Sequence, residues 1–94
     1  MPEPKKKKVD YAALQSPFMR IPRLTVEVAR DLMDLGLRET FELQGRAPEA
    51  LFQELLRLKP KTPADRLAFI RLAVYFVETP EPERNKLHPD AWRD

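Results

Sequence analysis

The chain has 94 residues, enough for one domain and too few for two. It contains no cysteine, which excludes a disulfide framework and a thiolate metal site. The formal charge of +2 sits in the first ten residues, where Lys5, Lys6, Lys7 and Lys8 outweigh Glu3 and Asp10; the rest holds 13 basic and 13 acidic side chains.

Residues 1–9 combine two prolines and four lysines with almost nothing to bury. They read as a flexible basic arm ahead of a single helical domain over 10–94. Asp10 is placed to cap a short helical turn with Tyr11, Ala12, Ala13 and Leu14 as its apolar edge. Ser16-Pro17 ends that turn, because a residue before proline is pushed out of the helical region. After Pro22, Thr25 is the expected cap of the next helix, and Glu27 suits its positive first turn. Val28, Leu32 and Leu35 follow at helical spacing, with Ala29 and Met33 beside them. Gly36 is the natural left-handed stop, and Leu37 supplies the hydrophobic contact that accompanies it.

A short helical turn between Glu39 and Leu43 carries Phe41 and Leu43 and ends at Gly45. Pro48 suits the first position of a helix, where its missing N–H costs nothing. Leu51, Phe52, Leu55, Leu56 and Leu58 follow it. Thr62-Pro63-Ala64-Asp65 resembles a capping box with Asp in place of Glu, opening a long helix to about Glu78. Leu67, Phe69, Ile70, Leu72, Ala73, Val74, Tyr75, Phe76 and Val77 leave that helix little polar surface, as at the centre of a bundle. Pro80, Pro82 and Pro89 make residues 79–94 an expected extended C-terminal tail, anchored by Leu87 and Trp92. No alternating strand pattern occurs. The expected fold is all-α, a compact bundle of about five helices. Its core is expected from Leu32, Leu35, Phe52, Leu55, Ile70, Ala73 and Val74, with Phe76 or Tyr75 also largely inside.

Leu14 to Leu43 now shows an order: a short helix, Ile21-Pro22-Arg23-Leu24-Thr25, a helix ending in Leu35-Gly36-Leu37, and a second short helix near Phe41-Glu42-Leu43. This looks like a helix-hairpin-helix unit. Downstream come Gly45-Arg46-Ala47-Pro48-Glu49-Ala50-Leu51, Asp65-Arg66, Arg71-Leu72-Ala73-Val74-Tyr75-Phe76 and the closing Trp92-Arg93-Asp94. Together these resemble the bacterial pathogenicity-locus or Cdd1 family, small helix-hairpin-helix proteins also labelled mitomycin-resistance-like. The similarity runs over nearly the whole chain apart from the basic arm. It implies a cytoplasmic bacterial protein whose hairpin grips backbone phosphates. Units that bind DNA usually read Pro-Gly-hydrophobic-Gly at the hairpin, because glycine lets the backbone approach a phosphate. Here the residues are Pro22-Arg23-Leu24-Thr25, so the hairpin is degenerate.

Nothing in the sequence marks a catalytic site. Ser16 has no base at a recognisable spacing. Asp31 with Asp34, and Glu39 with Glu42, have the spacing of solvated helix faces. His88 and Asp90 lack the further ligands that a metal site needs, and no cofactor motif occurs. Phe69, Tyr75 and Phe76 lie in the most apolar helix and read as core before stacking platforms. No apolar run approaches the ~18 residues that a membrane helix requires. The arm resembles a nuclear-localisation sequence, and its open readings are an electrostatic tether to nucleic acid, a solvated tail or a nuclear address.

The expected function is a non-enzymatic module that binds DNA or RNA backbone phosphates without sequence specificity. Lys5, Lys6, Lys7, Lys8, Arg20, Arg23, Thr25 and Arg30 are its candidate contacts. The alternative is a protein–protein interaction domain on a helix-hairpin-helix scaffold that has lost its phosphate-binding glycines.

Overall fold

In the structure, a computed structural model that describes residues 9–93, three of the four α-helices begin or end on a residue with an evident backbone role. Asp10 accepts from the Ala13 amide at 3.2 Å and caps α1 (Tyr11–Leu14). The Ser16 hydroxyl donates to the Ala13 carbonyl at 2.7 Å where α1 ends, and Pro17 opens a 3-10 turn (Pro17–Arg20). Thr25 accepts from the Val28 amide at 3.3 Å and caps α2 (Val26–Asp34). At the other end Gly36 adopts φ +93°, its amide reaching the Met33 carbonyl at 2.9 Å and the Leu37 amide the Leu32 carbonyl at 3.1 Å. Those two bonds make a Schellman motif, and Leu37 is buried beneath it.

Another 3-10 turn (Thr40–Leu43) precedes α3 (Pro48–Leu58), which has proline in its first turn and only Ala47 at its cap position. α4 (Arg66–Glu78) follows, and two more 3-10 turns, Arg84–Lys86 and Pro89–Trp92, close the described chain. Among the described residues there are four α-helices and no strand. The all-helical expectation holds, while the count of five does not. Thr40–Leu43 is held by i→i+3 bonds, Glu42 N to Glu39 O at 3.1 Å and Gln44 N to Phe41 O at 3.0 Å, so it closes as a 3-10 turn.

Val28, Ala29 and Leu32 of α2, Leu51 and Leu55 of α3, and Ile70, Ala73 and Val74 of α4 meet in one apolar cluster. Phe18 and Ile21 are also fully covered. Burial of side chains of this size contributes about 1.5–3 kcal/mol each. Leu35 and Phe52 were expected inside; they are half-buried and pack on the edge of the cluster, as does Phe76. Phe41 is 65% exposed, since only Leu43 of its short turn faces inward.

Two further expectations change. Thr62 does not cap α4: its hydroxyl donates to the Lys59 carbonyl at 2.6 Å, and α4 begins only at Arg66, after i→i+3 bonds from the Arg66 amide to Pro63 and from the Leu67 amide to Ala64. The C-terminal segment folds back on α4 instead of running extended. The Trp92 ring lies 5.2 Å from Tyr75, and its Nε1 donates to the Lys86 carbonyl at 2.8 Å. Arg71 Nη1 donates to the Trp92 carbonyl at 2.7 Å, and Arg93 grips Asp65 at 2.6 and 3.1 Å. The prolines do not prevent this, because Pro89 stands in the first turn of its own 3-10 segment, where a missing donor is harmless.

Candidate functional site

The segment between the first 3-10 turn and α2 is a tight reversal. The Leu24 amide donates to the Ile21 carbonyl at 3.2 Å, with Pro22 and Arg23 at its two central positions. Arg23 has φ +67°, the left-handed conformation that a turn of this kind demands at its third position and that glycine usually supplies. Ile21 and Leu24 are buried and hold the turn to the core, while Arg20 and Arg23 face solvent. Neither arginine has an ion-pair partner among the described residues. Thr25 follows as the α2 cap, and by helix geometry the first amides of α2 point towards this end without intrahelical acceptors. Glu27, exposed in the first turn, is the one acidic side chain there.

Arg30 is placed differently. Its Nε donates to Asp10 Oδ2 at 2.7 Å and its Nη2 to Asp10 Oδ1 at 2.6 Å, with Asp34 at 3.4 Å. The hydrogen bonds from Arg30, followed by the Ala13 amide, lower the Asp10 pKa to about 2. Asp10 in turn raises the pKa of Arg30. Thus Arg20, Arg23 and Thr25 are brought together at one end of α2, whereas Arg30 is drawn to the N-terminus of α1. Lys5, Lys6, Lys7 and Lys8 lie outside the described residues.

Arg30 also begins a row of charges that local spacing did not reveal. Lys59 donates to Asp31 Oδ1 at 2.7 Å and lies 2.6 Å from Asp34 Oδ2. Arg66 Nε stands 2.8 Å from Asp31 Oδ2, off the hydrogen-bond axis, and each of these two atoms is covered by protein. The row therefore runs Asp10, Arg30, Asp34, Lys59, Asp31, Arg66. Burial alone would raise Asp34 and lower Lys59; the bonds between them and to Arg30 and Asp31 outweigh it, so Asp34 is lowered and Lys59 raised. The one local clue was Asp31 itself, three residues after Val28 on the inward side of α2 and only 6% exposed.

His88 caps its own turn, its Nδ1 accepting from the Asp90 amide at 3.1 Å. Among the described residues no three His, Asp or Glu side chains are grouped to hold a metal ion, and no helix is long and apolar enough to cross a membrane.

No curated protein matches the chain. No solved structure matches it either. A family model does: the one described as Cdd1, pathogenicity locus, aligns with residues 12–92, from within α1 through the Trp92 turn, and the chain belongs to that family.

Proposed function

We propose that the protein is a non-enzymatic module that contacts nucleic-acid backbone phosphates through the turn Ile21–Leu24 and the start of α2, on a helix-hairpin-helix scaffold. The observation that carries this reading is the backbone of Arg23. An L-residue at φ +67° is held against its own preference, by about 1–2 kcal/mol. The turn therefore follows a glycine-like path while presenting a cation at that position. Arg20 stands beside it, and the α2 amides lie just beyond. A phosphate at this end of α2 would find the exposed Arg20 and Arg23, neither ion-paired among the described residues, and a positive helix end.

The test is a titration of random-sequence duplex at two salt concentrations. Arg23→Gly combined with Thr25→Gly is expected to tighten binding despite the loss of one positive charge, because closer backbone approach outweighs the Arg23 contact once both obstructing side chains are removed. The cap loses only a few tenths of a kcal/mol when threonine becomes glycine, so the fold is retained. Arg23→Gly alone separates the mechanisms further: weaker binding identifies the side chain as the phosphate ligand, whereas a vestigial turn is indifferent to the change. If neither variant alters binding at low salt, the turn does not touch nucleic acid.

In that event a protein-interaction domain becomes the better reading. Its support is the apolar exposure of Val9, Tyr11 and Leu14 around α1, which no described element covers.

A further inference from the structure

A second groove lies elsewhere on the fold, where the start of α3, the second half of α4 and the C-terminal segment meet. It is open and holds about 520 Å³, with Tyr75 and Trp92 as an aromatic wall and Arg46, Arg71 and Arg93 around it. Trp92, Arg71 and Arg93 also line an adjoining cleft of about 230 Å³, so the Trp92 side chain divides two recesses. The indole is held in place: its Nε1 is bonded to the Lys86 carbonyl, and its own carbonyl accepts from Arg71.

The three arginines are not equivalent. Arg71 is oriented by Glu49 at 3.1 Å as well as by Trp92, and Arg93 by Asp65. Arg46 is held loosely among the described residues, at 3.6 Å from Glu54 and with a weaker attraction to Glu42, and its side chain is 41% exposed. Glu78 also lines the groove, yet its carboxylate accepts from the Gly45 amide at 2.6 Å, which offsets part of its charge. The groove thus pairs a fixed indole with one cation that can move.

We infer that this groove binds a nucleotide unit, with a planar base against Trp92 and its phosphate at Arg46. Aromatic platforms beside a cation take bases of any sequence, since every base presents a π-face. The site is separate from the turn before α2 and does not depend on it. The shared chemistry, a base joined to a phosphate, could come from a free mononucleotide or from a single strand.

Trp92 is the only tryptophan in the chain, so its emission reports this groove and the cleft beside it. The full-length protein is titrated with thymidine monophosphate and with an oligothymidylate of about eight nucleotides, a length within the range of single-strand sites. Saturable quenching of Trp92 is expected. Arg46→Gln should weaken it roughly tenfold or more, as the loss of one charge-assisted contact does. Equal affinity for both probes assigns the groove to free nucleotides, and a much tighter oligonucleotide assigns it to a strand. Absence of quenching overturns the inference. So does oligonucleotide binding seen by anisotropy with constant Trp92 emission, an outcome that would leave the turn before α2 as the contact. Quenching unaffected by Arg46→Gln overturns the assigned phosphate position and with it the proposed site.

Discussion

The Arg30 guanidinium and the Asp10 carboxylate meet through two hydrogen bonds, at 2.7 and 2.6 Å, although twenty positions separate them in the chain. Because Asp10 also accepts from the Ala13 amide, one carboxylate both starts α1 and fastens it to α2.

The first prediction follows from its ionisation. Asp10 titrates at about 2 in the folded protein, below its ordinary 3.8, so folding favours the charged form. Its contribution is complete above the ordinary value and is lost as the pH falls from there towards 2. Thermal melts of the parent and of Asp10→Asn should differ at neutral pH and converge at the acid end of that window. A constant difference down to the lowest pH would show that the pair does not control α1.

Asp31 lies deeper and its loss should be costlier. Asp31→Ala leaves Arg66, whose side chain is 18% exposed, beside an emptied position. Fully buried ion pairs lose about 3–5 kcal/mol when one partner is removed. Lys59 keeps Asp34 and contact with water, so a loss of about 2–3 kcal/mol is expected here. Denaturant unfolding measures it directly, and a change below about 1 kcal/mol would mean that the row is a surface ornament.

α3 offers a gain. Ala47 occupies its cap position and supplies no side-chain oxygen to the first amides. Ala47→Ser should stabilise the protein by about 1 kcal/mol, visible as a higher melting temperature. No shift would indicate that those amides already have acceptors, such as ordered water.

The lysine arm has its own signature. If Lys5 to Lys8 each neutralise one phosphate, removing residues 1–9 should flatten the log–log salt dependence of duplex binding by about 3.6. An unchanged slope would make the arm a bystander.

Much of the local structure was legible. Asp10, Thr25, Gly36 and Pro48 do at their positions what their backbone chemistry dictates, and Leu32, Leu55, Ile70, Ala73 and Val74 are buried as their spacing implied. The illegible part involves partners far apart in the chain. Arg30 has the spacing of an ordinary surface arginine until Asp10 is brought to it, and Arg93 pairs with Asp65 across 28 positions. The folded C-terminal segment was missed for a similar reason: its prolines speak against a long helix but not against short turns stacked on α4. At the candidate turn, the residues Pro22-Arg23-Leu24-Thr25 contain no glycine, and only the backbone angles show that Arg23 takes a left-handed step there.

The row from Asp10 to Arg66 has a mechanical consequence for α2. Apolar contacts are tolerant of small slides, since one methyl group can replace another at similar separation. Directional pairs are not, and α2 carries three of the six charges, Arg30, Asp31 and Asp34, reaching α1, the end of α3 and the start of α4. Greasy packing thus chooses which side of α2 turns inward, while the charges index how far along its axis it sits. A helix indexed in this way presents the reversal at its leading end in one fixed attitude, so the placement of the turn Ile21–Leu24 is set by ion pairs further along α2.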